Sequence, residues 1–495
     1  MSKMNYTLGI DIGTSSSKGV LVGPDGTIIA RAERAHELSL PQPGWAEHDA
    51  ETIWWADFKA LCAQLLPQIT GVLAAVCVSG IGPCLLAADE HRQPLRPAIL
   101  YGIDTRATRE IEEQTERYGA EQILQRCGSP LTTQAIGPKL AWLKRNEPEV
   151  WNRMRYFLMA SSFVVQRLTG EYILDHHSAS QCDPLYDLKE RCWIEEWAEE
   201  IAPGLPLPRL LWPAEVAGLV TAAAAAETGL PIGTPVAAGT IDAWSEAMSV
   251  GVREPGDMML MYGTTMFMVE VQHNALVHSK LWSTAGILPG TYTLAAGMAT
   301  SGALTGWFRH LVGDLPYETL LQEAAEVAPG ADGLVILPYF AGERTPLFDP
   351  RARGVICGLT LRHGRGHLYR ALLEATAYGV RHILETMREI GGGSKRLVAV
   401  GGGTKGGLWT QIVSDVTGLP QEIPQETIGA CYGDAMLAAL AAGIITPETR
   451  WNPISTLVEP QANTRQMYDT LYAIYRQLYP ATSDQAHQLA DLQAR

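Results

Sequence analysis

The chain has 495 residues, too many for one hydrophobic core, so two domains of similar size are expected. A 46% hydrophobic share suits a globular protein, and 38 basic against 53 acidic residues give a net charge of −15, which argues against a nucleic-acid partner because a phosphate backbone needs a cationic face. Eight scattered cysteines without a C-x-x-C pair fit reduced thiols, no apolar run reaches membrane-spanning length, and the strand-like start leaves no room for a signal peptide, so a cytoplasmic protein is expected.

Strand, turn and helix signals alternate along the whole chain, which predicts an α/β architecture. At the start, LGIDIGTSSSK reads as a strand bearing Asp11, a turn over Gly13–Ser17 and a returning strand opened by Lys18. Glycine lets backbone approach an anion, and the flanking amides and hydroxyls donate to phosphate oxygens. Asp11 is the candidate for holding Mg²⁺, mostly through water, because Mg²⁺ keeps much of its hydration shell beside nucleotide phosphates. The alternative is a hairpin whose Asp and Ser side chains bond only local backbone, with Lys18 a solvated surface lysine. Strands at Gly19–Val22 and Thr27–Arg31 complete an antiparallel meander. A helix follows over about Ala50–Leu66, then a strand at Leu73–Val78, the turn Ser79–Pro83 and a strand at Cys84–Ala88. Ile136–Leu168 reads as helical, with Trp142 and Trp151 in the core. His176 and His177 are adjacent and read as ordinary turn histidines, and Cys84 as a small buried residue.

After the strand PVAAG, TIDAWSEAM opens a helix in which Asp242, taken alone, reads as the N-cap. Gly251 and Pro255 punctuate a junction near Ser249–Pro255, dividing the chain into 1–248 and 249–495. The second half repeats the opening device: Asp257–Tyr262 runs into Gly263-Thr264-Thr265, and Thr265–Val271 returns. Helices are expected at Gly302–Leu311 and Leu368–Arg388. The strand Leu397–Val400 enters Gly401-Gly402-Gly403, with a helix over about Gly407–Thr417 directly after it, a turn suited to a nucleotide edge. No G-x-x-x-x-G-K-[ST] segment is present, which excludes a P-loop.

Five segments in order, LGIDIGTSSSK, AAGTIDAWSEA, PYFAGERTP, RGVICGLTLRHGRGHLYRALLEAT and VGGGTKGGLWTQI, resemble the FGGY carbohydrate kinases. That resemblance implies two RNase H-like (actin-like ATPase) domains in duplicate, with ATP and a sugar meeting in the cleft between them. It implies transfer of the γ-phosphoryl group to a sugar hydroxyl with Asp242 as general base. Gly13, Thr14, Ser15 and Lys18 would hold phosphates together with Gly263, Thr264 and Thr265, while Gly402, Gly403 and Thr404 would border adenosine. ATP and Mg²⁺ are the implied cofactors, and a homodimer is compatible with the family.

Within the family, PQPGWAEHDAETIW, RPAIL and LPYFAGERTP are most similar to xylulokinases, which implies a ketopentose such as D-xylulose as acceptor. The sugar end departs from that pattern. The usual Gln-Met-His-Gly run is replaced by Ser79-Gly80-Ile81-Gly82-Pro83-Cys84, and Tyr101–Arg106 is one residue longer than its counterpart. Asp104 and Arg106 read either as sugar ligands or as an exposed ion pair, and Gln134 either as a sugar neighbour or as a surface residue. Another ketose, a polyol or an aldonate stays open as acceptor, as does an actin-like ATPase or a sugar-sensing protein without kinase activity.

Overall fold

A computed structural model describes residues 4–493, so the outermost ends of the two expected halves, 1–3 and 494–495, lie outside the described residues. Near-continuous burial in the central strands, and alternation in β3 at the edge, build β1 (Asn5–Ile12), β2 (Ser16–Val22), β3 (Ile28–Ala35), β4 (Val72–Gly80) and β5 (Pro235–Ala237). β3, β2 and β1 pair antiparallel, and β4 and β5 extend the sheet in parallel on the other side of β1. The second half repeats this order. β6 (Asp257–Tyr262), β7 (Met266–Gln272) and β8 (Tyr292–Met298) are antiparallel neighbours, and β9 (Arg396–Val400) and β10 (Gln421–Pro424) continue in parallel beyond β6. Two copies of one mixed five-strand topology are therefore present, each with an additional edge strand or two.

Three apolar clusters organise the chain: one within the first half, one within the second, and one between them. The central one is filled by helix α1 (Asp242–Ser249) and, after α2 (Gly302–Leu311), by α3 (Ala430–Ala441). α3 belongs in sequence to the second half yet packs on β1 and β4 of the first. Two glycines make this possible. A Cβ at Gly9 would lie 2.0 Å from the Cys431 carbonyl, and one at Gly433 would lie 1.8 Å from the Ser245 carbonyl, so any side chain would force β1 off α3 or α1 off α3. The contact is fixed by Asp434, which accepts hydrogen bonds from Ser79 (2.7 Å) and Ser245 (2.6 Å), all three residues being buried.

Two expected elements differ. The single helix read over Ile136–Leu168 is broken into Ile136–Asn146, Pro148–Arg153 and Ala160–Thr169, with the short strand Tyr156–Leu158 between. Pro148 cannot continue the preceding helix, and Tyr156–Leu158 finds a strand partner in Leu86–Ala88. The glycine triplet does not feed a helix directly: a 3₁₀ turn, Gly402–Thr404, and left-handed Gly406 and Gly407 intervene before the helix Leu408–Thr417. Among the described residues no helix is long and apolar enough to cross a membrane.

Candidate active site

β1 ends in the first Gly-Thr turn, closed by the Gly13 amide donating to the Ser16 carbonyl (3.1 Å). Its support is made of side chains. His36 places Nε2 3.1 Å from the Gly13 carbonyl and Nδ1 2.8 Å from Asp57, while Ser17 donates to the same carboxylate (2.8 Å) and Arg34 pairs with it (2.6 Å). Asp57 is 1% exposed, so this bracing is held in a poorly screened environment. Lys18 lies directly across from Asp11 in the β1–β2 register, and the return strand already begins at Ser16. The lysine is half-exposed, 4.0 Å from Glu33, and its charge acts on both Asp11 and Glu246. Thr14 and the exposed Ser15 form the tip, with the Thr14 hydroxyl 3.4 Å from that of Tyr101.

β6 ends in the second turn, where Gly263 donates to Thr265 (3.2 Å). Here the support is main chain. Amides of Ser301 and Ala303 donate to the Thr264 carbonyl, and that of Gly302 donates to the Gly263 carbonyl (2.9 Å), at the start of α2. A Cβ at Gly302 would stand 2.5 Å from that oxygen. β9, beside β6, delivers the third glycine turn: Gly403 rests against Tyr262 and Trp409, Thr404 donates to the Gly401 carbonyl (2.8 Å), and Gly402 faces open space.

Between the two halves lies a cavity of about 350 Å³. The first half lines it with Asp11, Tyr101, Gln134, Asp183, Asp242 and Glu246, among others, and the second with Thr265, Phe267, Trp282 and Arg344. Asp242 is the first residue of α1, and Ile241 takes the N-cap position, so the expected cap role is corrected. Its Oδ1 accepts from the Ala243 amide (2.7 Å), and no described residue donates to Oδ2. Burial pushes Asp242 up to about 6, against the pull of that amide. Glu246, one turn along, is pushed up to about 7 by burial and by the charge of Asp242. Asp11 is raised well above the usual carboxylate range by burial and by Asp242, Asp434 and Glu246, with Lys18 opposing.

This concentration of carboxylates calls for positive charge that Lys18 alone does not supply. Asp11 Oδ1 is buried and has no hydrogen-bond partner, an arrangement that fits one carboxylate ligand of a largely hydrated Mg²⁺. Among the described residues no three His, Cys, Asp or Glu side chains converge to ligate an ion unaided, so the remaining ligands would be waters and phosphate oxygens.

Asp104 and Arg106 are not brought to this cavity, nor are they exposed. Each side chain is 1% exposed in a mutual ion pair (2.7 Å); Asp104 also accepts from the Ala46 amide (2.8 Å), and Arg106 pairs with Glu47 (2.8 Å) beneath Trp45 and Trp142. They brace the wall from behind. His177 bonds the Ala285 carbonyl (2.8 Å) and Gln181 (2.9 Å), and Cys84 donates to the Ile81 carbonyl (3.3 Å). Sequence reasoning passed over Asp57, Asp183, Glu246, Arg344 and Asp434. Glu246 was recoverable from its i+4 spacing to Asp242, and Arg344 from the AGERTP segment; the others carry no local signal.

Residues 6–249 and 258–442 match the models of the N-terminal and C-terminal domains of the FGGY family of carbohydrate kinases. The chain is 29% identical to a xylulose kinase of Lactococcus lactis subsp. lactis, covering 99% of each, and 26% identical to a gluconokinase of Bacillus subtilis, covering 99% of this chain and 98% of that one. A solved xylulose kinase from Rhodospirillum rubrum superposes with a TM-score of 0.91 at 32% identity, covering 97% of this chain and all of that one.

Proposed function

The chain belongs to the FGGY family of carbohydrate kinases and is a sugar kinase, and from that premise we propose that it transfers the γ-phosphoryl group of ATP to a hydroxyl of a ketopentose such as D-xylulose, with Asp242 as general base. The observation that carries this reading is Asp242 itself: a half-buried carboxylate with one oxygen free of protein donors, on the wall of the cavity shared by the two halves. A sugar hydroxyl is barely ionised at neutral pH, so its proton must leave as the bond to phosphorus forms. A fixed carboxylate near pKa 6 is ionised at pH 7 yet basic enough to take that proton. Helix α1 holds it rigidly through the Ala243 amide.

Residues 1–248 supply the acids and the acceptor side, and 249–495 the second phosphate turn and the adenosine turn. In this reading the Gly13, Thr14 and Ser15 amides, the Thr14 and Ser15 hydroxyls and Lys18 would hold the triphosphate together with Gly263, Thr264 and Thr265, and Gly402, Gly403 and Thr404 would border the adenosine. Asp11 would hold Mg²⁺, which supplies charge neutralisation to the phosphoryl oxygens when bound. Gln134 lines the same cavity and in this reading would contact the acceptor.

The similarity to a gluconokinase keeps an aldonate as the second reading for the acceptor. An ADP-release screen over ketopentoses, ketohexoses, polyols and aldonates decides between them. Asp242→Asn should abolish acceptor-dependent ADP formation while leaving ATP-analogue affinity intact; retained turnover would defeat the proposed base.

A further inference from the structure

Among the acids on the cavity wall, Asp183 is the most deeply buried residue. It is 7% exposed, lines the cavity, and accepts no side-chain hydrogen bond from any described residue; its Oδ1 is fully buried without a partner. Its backbone, by contrast, is firmly held. The Gly137 amide donates to the Asp183 carbonyl (2.9 Å), and a Cβ at Gly137 would lie 2.5 Å from Pro184, so the helix carrying Gly137 is pressed onto the Asp183–Pro184 segment. Leu185 donates to the Cys182 carbonyl (2.9 Å), closing the turn around it.

An unpartnered buried carboxylate costs stability, and a purely structural buried aspartate is engaged by donors of the protein, as Asp57 is by the side chains of Ser17, His36 and Arg34. The donors that Asp183 lacks must come from what enters the cavity. Burial raises it above the usual carboxylate range, whereas Asp11 and Glu246 are raised also by the charge of Asp242. A hydroxyl donating to it restores the stability of the charged form. A carboxylate-bearing acceptor instead brings a second negative charge into the cavity that Asp183 lines.

Resting on the kinase reading above, we propose that Asp183 is a specificity-determining residue that accepts a hydrogen bond from a hydroxyl of the sugar acceptor and favours neutral sugars and polyols over aldonates.

The test compares the parent chain with Asp183→Asn and Asp183→Ala on D-xylulose, or on whichever neutral acceptor the screen ranks first, and on D-gluconate. Melting temperature and the dissociation constant of a non-hydrolysable ATP analogue are measured alongside. Both substitutions should lower kcat/KM for the neutral acceptor about 30- to 100-fold, mainly through KM, and narrow its lead over D-gluconate. Melting temperature should hold or rise, and analogue affinity should stay within about twofold. A folded variant whose kcat/KM lies within threefold of the parent overturns the proposal, as does a parent that prefers D-gluconate. A loss of activity that comes with a lower melting temperature and weaker analogue binding in both variants assigns Asp183 a structural role and overturns it too. A parent that phosphorylates no acceptor defeats the kinase reading instead; tryptophan-fluorescence titration with D-xylulose then decides, equal affinity in parent and Asp183→Asn counting against Asp183 and weakened affinity in its favour.

Discussion

The two Gly-Thr turns share a backbone and differ in almost everything else. Asp11-Ile12-Gly13-Thr14-Ser15 aligns with Met261-Tyr262-Gly263-Thr264-Thr265, so the acid of the first copy faces the cavity where the second offers a methionine. The first turn is braced by His36, Asp57, Ser17 and Arg34, the second by helix amides. Duplication thus reproduced the fold and not its charges. The turn geometry is symmetric, while the acids of the cavity are confined to one half.

The most direct way to break the asymmetry is to remove its centre. Asp242→Ala should lower kcat by about 10²–10⁴ with acceptor KM changed far less, read from initial rates of ADP release. Next comes Asp11→Asn, expected to raise the Mg²⁺ concentration for half-maximal velocity about 10- to 100-fold; an unchanged Mg²⁺ dependence would remove Asp11 from the metal site. The contrast in bracing predicts a smaller, paired effect. Asp57→Ala strands three donors and should cost about 1–3 kcal/mol of stability and several-fold in ATP KM, whereas Ser301→Ala leaves the main-chain brace of the second turn in place and should leave ATP KM within about twofold.

The smallest effect is in pH. Folded-state values near 6 for Asp242 and near 7 for Glu246 lie above their ordinary 3.8 and 4.5, so the folded state binds more protons than the unfolded one between about pH 4 and 7. Stability contributed by these two groups is therefore present at low pH and lost as pH rises through that window. In metal-free protein the melting temperature should be lower at pH 8 than at pH 5 from this source, and Asp242→Asn with Glu246→Gln should flatten the difference.

What could be read in the sequence follows from the range of the interactions involved. The strand–turn–strand units at Asp11 and Gly263, the helix Gly302–Leu311 and the position of the strand before Gly401 are local patterns, and all are found within one or two residues of where the sequence places them. The helix over Ile136–Leu168 misled because its apolar content hides a strand that exists only through pairing with Leu86–Ala88. The buried ion pair of Asp104 and Arg106 was illegible for the same reason: nothing near them announces Glu47, Trp45 and Trp142 as neighbours. Asp183 could not be recognised at all without knowing that its carboxylate lacks a partner.

The glycine contacts of α3 carry one more consequence. A helix encoded near residue 430 completes the core beneath a sheet begun at residue 5, so the halves are interlocked as folding units even though they are duplicated as topologies. A chain ended at residue 249 would leave the α3-facing side of β1 and β4 bare and prone to association. Asp434, gripping Ser79 of the first sheet and Ser245 of α1 from within α3, is the rivet that holds the two halves together.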